Sequence, residues 1–168
     1  MKKNWKIALA IIIGIVSFIA LGYLAASISS GSLSYAQQYE FNVSKKQLIQ
    51  AIESFKDKNK GFLPPPSYST PDAIDNYIPN FFNIYIYYYD QNSIVYLVID
   101  NDHQDTNKST VNFVSINEGL KGPLYKRINK DFDRDDNLKI KKEFEERVLK
   151  NLGYPYKDKG NGMFVFWK

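Results

Sequence analysis

The chain has no cysteine and one histidine, and its folded portion carries almost no net charge. Each shortage removes a class of function. Without cysteine there is no disulfide framework, no thiol nucleophile, no Cys-ligated zinc and no lipidated anchor residue. The sequence also lacks a phosphate-cradling glycine loop, a G-x-S-x-G elbow and an H-E-x-x-H pair. The formal charge of +4 is concentrated at the start: Lys2, Lys3 and Lys6 supply three of the charges, leaving +1 for residues 37–168. A nearly neutral domain argues against a nucleic-acid partner. No cofactor is expected.

Residues 7–26 form an uncharged apolar run. Twenty residues at the helical rise reach about 30 Å, the thickness of a bilayer's hydrocarbon core. Three lysines precede the run and the next basic residue is Lys45. This pattern predicts a single-pass signal-anchor helix with the lipid bilayer as a partner. It puts the N-terminus in the cytoplasm and the rest of the chain in the periplasm or at the cell surface of the envelope. The run exceeds the roughly 7–15 apolar residues of a cleaved signal, which favours retention. Ala10 and Gly14, like Gly22 and Ala26, are spaced to let two such helices pack closely as a homodimer. Residues 27–40 are Ser-rich and read as a juxtamembrane spacer. Residues 41–168 then form one extracytoplasmic domain, large enough for its own core.

Within that domain, Ser44 and Gln47 have capping-box spacing, with Val43 and Leu48 as a hydrophobic staple. Leu48, Ile52 and Phe55 make the apolar stripe of a helix stopped at Gly61, with Phe62 packing back. Pro64, Pro65 and Pro66 predict an extended segment, and Thr70-Pro71-Asp72 a short helix over 73–77. Residues 82–90 alternate, with Phe82, Ile84, Ile86 and Tyr88 on one face and Asn83, Tyr85, Tyr87 and Tyr89 on the other. A turn at 90–93 leads to a strand over 94–100 that is apolar on both faces and so central. A third strand covers 111–116. Leu124, Ile128 and Phe132 recur at helical spacing behind Pro123, and a second helix covers 138–152, stopped by Gly153. A terminal strand covers 163–168. The expected order is helix, three strands, helix, strand: an α+β fold with a transmembrane helix before a small antiparallel sheet packed against helices.

Tyr85, Tyr87 and Tyr89 are the candidate binding residues. Flat apolar rings with a polar edge suit a sugar or a peptide if their face is open, and are core if a helix covers it. Asp131, Asp133 and Asp135 resemble the start of a calcium loop, with oxygen ligands at alternate positions. Asp136 stands where that loop needs glycine, and Lys142 where it needs its closing Glu, so capping of the following helix competes with that reading. His103 sits in a loop with Asp100, Asp102 and Asp105 and could serve acid–base chemistry. No nucleophile is positioned, so the domain reads as a non-enzymatic module for a protein partner. A glycan- or peptide-binding module built on the tyrosine row is the alternative. A carboxylate-dependent hydrolase would need the 100–105 and 131–136 loops to converge.

Overall fold

The computed structural model describes residues 14, 15, 17, 31–68, 70–76, 78, 80–101, 105–120 and 125–161. It divides into two units, Met1–Ser34 and Tyr35–Lys168. In the first unit Gly14, Ile15 and Ser17 are helical, and a 3-10 turn over Gly31–Tyr35 runs into the second unit.

The second unit is mostly a seven-stranded antiparallel sheet with two helices. The strands are β1 (Gln37–Phe41), β2 (Ala73–Ile74), β3 (Phe82–Tyr88), β4 (Ser93–Asn101), β5 (Ser109–Glu118), β6 (Tyr125–Arg127) and β7 (Tyr156–Asn161). Their spatial order is β2-β3-β4-β5-β1-β7, and β6 also pairs with β5, beyond the end of β1. The helices are α1 (Lys45–Lys58) and α2 (Arg134–Arg147).

The expected membrane placement is corrected. Apart from Gly14, Ile15 and Ser17, residues 7–26 lie outside the described residues. Among the described residues no helix is long and apolar enough to cross a membrane. α1 and α2 have 14 residues each. That is about 21 Å at the helical rise, short of a hydrocarbon core of about 30 Å, and both helices carry charges. A single-pass anchor, a signal-anchor class and an extracytoplasmic domain are therefore not supported.

The expected element order is corrected as well. Residues 37–40, read as spacer, belong to β1, whose Tyr39 and Phe41 are fully buried between β5 and β7. Residues 73–74 are strand instead of helix, because the Asp72 carboxylate accepts the Tyr85 backbone N–H (2.8 Å) and lays the chain along the edge of β3. β6 replaces the short helix expected behind Pro123; Pro123 and Leu124 lie outside the described residues. Ile128 reaches the core from a turn in which Asn129 takes φ 60° and the Asp131 carboxylate accepts the Arg127 N–H (2.8 Å). α2 starts four residues earlier than its apolar stripe, because Asp133 caps it by accepting the Asp136 N–H (2.9 Å). A 3-10 turn over Leu149–Asn151 follows, and Gly153 adopts φ 78°. The strand expected over 163–168 lies outside the described residues; β7 precedes it.

The first helix has the capping box expected of Ser44 and Gln47. It ends at Asn59, whose N–H bonds the Phe55 and Lys56 carbonyls, and not at a left-handed Gly61. Phe62 packs on Phe55, ring centroids 4.8 Å apart. One core holds the sheet and both helices together. Leu48, Ile52 and Phe55 of α1 and Phe144 of α2 meet the aliphatic face of β3, the centre of β4 and Phe113 of β5. Both helices therefore lie on one face of the sheet, and strand alternation turns the odd-numbered residues of β3 to the other.

Candidate functional site

Hairpin register builds the site. β3 and β4 pair with Tyr85 opposite Tyr96, β4 and β5 with Tyr96 opposite Ser115, and β6 brings Tyr125 opposite Asn117. These positions all fall on the face away from the helices. Tyr85 and Tyr96 stack, centroids 5.2 Å apart and planes 15° from parallel. Tyr125 stands 6.4 Å from Tyr96, edge-on, and Tyr68 5.6 Å from Tyr85, tilted. A turn closed by the Tyr68 N–H on the Pro65 carbonyl (2.8 Å) swings Tyr68 into place, and the Tyr68 and Tyr125 hydroxyls share a hydrogen bond of 2.6 Å. All four rings stay partly open to solvent.

The support beneath them is polar and closed. Tyr96 Oη donates to Asn83 Oδ1 (2.9 Å), and Asn83 Nδ2 donates to Asp75 Oδ2 (3.1 Å). Asp75 Oδ1 accepts the Ile78 N–H (2.9 Å). The buried Lys56 ammonium donates to Asp72 Oδ2 (2.5 Å) and to the Tyr85 carbonyl (3.0 Å). Burial pushes the Tyr85 hydroxyl up to about 12, helped by Tyr96, Tyr125, Asp72 and Asp75. Burial is also the first cause of the rise at Tyr96 and, ahead of the bond to Tyr125, at Tyr68. The Tyr68, Tyr85 and Tyr96 hydroxyls are therefore uncharged at physiological pH.

No protein family matches this chain, and neither a curated protein nor a solved structure resembles it significantly. Its chemistry has to be read from its own side chains.

The three tyrosines singled out in the sequence take three different environments. Tyr85 is in the cluster. Tyr87 is buried, its hydroxyl bonded to Asn92 Oδ1 (2.9 Å). Tyr89 lies past the end of β3 in the turn, 77% exposed and edge-on to Tyr87 at 6.3 Å. Tyr68, Tyr96 and Tyr125 are the members that sequence reasoning missed. Tyr96 was findable: it alternates out of an otherwise apolar strand.

The acidic loop is engaged in structure. Asp131 holds Arg127 (3.0 Å to Nε), Asp133 caps α2, and Asp135 stands exposed in its first turn. Among the described residues no group of three or more His, Asp or Glu side chains could hold a metal ion. Asp100 pairs with Thr110, whereas Asp131 hangs on Arg127, opposite Ser115. Five positions along β5 separate the two, about 17 Å at the strand rise. His103 lies outside the described residues. An open groove of about 580 Å³ runs beside the start of α1, floored by Ile49, Ile74 and Phe82. A second, of about 400 Å³, lies between α1 and Tyr154 and is rich in amides.

Proposed function

We propose that this domain is a binding module whose contact surface is the Tyr68–Tyr85–Tyr96–Tyr125 cluster. One observation carries the reading: four partly open rings form one continuous patch on the face that the two helices leave free. Aromatic rings held by neighbours offer large contact area and lose little side-chain freedom on binding. Here each ring is already fixed by stacking or by a hydroxyl bond.

Tyrosine nitration of the full chain, with and without polysaccharide and protein fractions of the source cells, tests the proposal. Protection of Tyr85, Tyr96 and Tyr125 relative to the distant, partly exposed Tyr154 is the expected result. Identical labelling of all four in every fraction would defeat it.

A second reading, docking of a protein partner, draws on Ile74 and Ile78, which are 60% and 47% exposed. Ile74 also lines the apolar groove beside α1. Ile74→Asp would then abolish partner binding and leave nitration of the tyrosines unchanged.

A further inference from the structure

We infer that the tyrosine cluster takes an uncharged carbohydrate, packing a sugar ring against the open Tyr125 ring beside the stacked Tyr85–Tyr96 pair. The inference rests on the cluster being the contact surface. It adds the chemical class of the ligand.

Shape is the first reason. Tyr85 and Tyr96 stack 15° from parallel and give one face each to the other; the most open ring of the cluster is Tyr125 beside them, 39% exposed. A pyranose has a flat face of C–H groups rimmed by hydroxyls, which matches a tyrosine face bounded by phenol oxygens. Polar groups at the rim supply the second reason. Tyr68 and Tyr125 share one hydrogen bond between their hydroxyls and Tyr68 also bonds Thr70, which leaves donor and acceptor capacity at the Tyr125 hydroxyl when Tyr68 is the donor. The cluster thus carries both donors and acceptors, the mixture that sugar hydroxyls require.

Charge is the third reason, and it separates sugar from ionic ligands. The Tyr68, Tyr85 and Tyr96 phenols are neutral. Asp72, the carboxylate beside Tyr85, has its charge matched by Lys56 and its second oxygen occupied by the Tyr85 N–H. Both oxygens of Asp75 accept hydrogen bonds from within the fold. Lys56 is 6% exposed and held on two acceptors. These three charges are turned inward, into the support, and Arg127, its side chain 39% exposed across Ser115 from Tyr96, is held by Asp131. An anionic polymer finds Arg127 already bonded to Asp131, and a basic peptide finds Asp72 and Asp75 already engaged.

Affinity electrophoresis of the full chain through gels containing neutral α- or β-linked hexose polymers tests the inference. Calorimetry with the matching hexasaccharides follows, and a uronate polymer and a basic peptide serve as charged probes. At least one neutral glycan is expected to bind. Tyr85→Ala and Tyr125→Ala should each weaken that binding roughly tenfold, the equivalent of about 1.4 kcal/mol. Tyr125→Phe, which keeps the ring, should lose less, and Tyr154→Ala should lose nothing. Tyr125 is already 39% exposed, so its alanine variant keeps the test alive if Tyr85→Ala unfolds. Retention only by a charged probe would overturn the inference, as would equal glycan binding by both cluster variants. If no glycan binds while a protein fraction still protects the cluster from nitration, the ligand class is wrong and the contact surface stands. If neither occurs, both fall.

Discussion

Lys56 and Asp72 hold one peptide unit between them. Asp72 takes the N–H of Tyr85 at 2.8 Å, Lys56 bonds its carbonyl at 3.0 Å, and the two side chains close on each other at 2.5 Å. Tyr85 stands on β3 beyond the two residues that β2 covers, so the pair occupies backbone groups that would otherwise form an open sheet edge. The same pair fixes the backbone beneath the stacked ring of Tyr85.

Removing the cation should therefore be costly. Lys56→Met leaves a mostly buried carboxylate without its counter-charge and a strand carbonyl without its donor. We expect a loss of about 2–4 kcal/mol in urea unfolding. Lys56→Met combined with Asp72→Asn should recover part of that loss. A single variant as stable as the wild type would show that the pair contributes nothing.

Arg147 caps the other side of the molecule. Its guanidinium lies 4.1 Å from the Tyr88 ring centroid and 5.4 Å from that of Phe62, and it bonds Asp90 (2.7 and 3.1 Å) and Glu143 (2.8 Å). Arg147→Ala should cost about 1–2 kcal/mol, from stacking and stem packing more than from the exposed ion pairs. The Arg147 hydrogen bond holds the Asp90 carboxyl below its usual 3.8. A lowered carboxyl pKa adds stability above the unfolded value and loses it as pH falls through the folded one. The gap between wild type and Arg147→Ala should therefore narrow below about pH 4. Thermal midpoints measured across that range check this.

Tyr88 carries the opposite sort of defect. Its hydroxyl is buried and has no hydrogen-bond partner among the described residues. Tyr88→Phe keeps the ring under Arg147 and removes the unsatisfied group. It should be neutral or stabilise by up to about 1 kcal/mol. A clear destabilisation in chemical unfolding would mean that the hydroxyl is bonded in solution.

High pH should open the fold through its tyrosines. Burial raises Tyr85 to about 12 and lifts Tyr39, Tyr68 and Tyr88 further above the usual 10.0. For a phenol raised in the folded state, the added stability is complete below the unfolded value and is lost as pH climbs toward the folded one. Unfolding free energy should therefore hold steady up to about pH 10 and then decline. Phenolate absorbance should appear late and together with loss of circular dichroism. Full ionisation near pH 10 in a still-folded protein would contradict this.

Local chemistry was readable where one residue's neighbours in the chain decide its state. The Ser44–Gln47 box, the buried stripe Leu48–Ile52–Phe55 and the alternation of β3 all depend on contacts a few residues apart. The central position of β4 followed from apolar residues on both its faces. The short or charged strands were hidden. β7 reads Tyr-Lys-Asp-Lys-Gly-Asn and is a strand only because β1 lies beside it, and β6 has three residues that β5 holds in place. The expected membrane placement is not supported, because among the described residues no helix is long and apolar enough to cross a membrane.

The candidate site divides along the same line. From the sequence alone came its chemistry: a tyrosine-rich hairpin in a nearly neutral domain, with no thiol and no metal-binding cluster of cysteines. Tertiary structure decided which rings meet. The turn spans residues 89–92, so Tyr88 pairs with Ser93, and Tyr85 thereby falls opposite Tyr96. A turn placed one residue later would have set Tyr85 against Val98. Tyr68 and Tyr125 lie 57 residues apart and join hydroxyls only because a proline turn and a three-residue strand reach the same face. Contacts of that range depend on loop closure and strand register, which no local pattern of residues encodes.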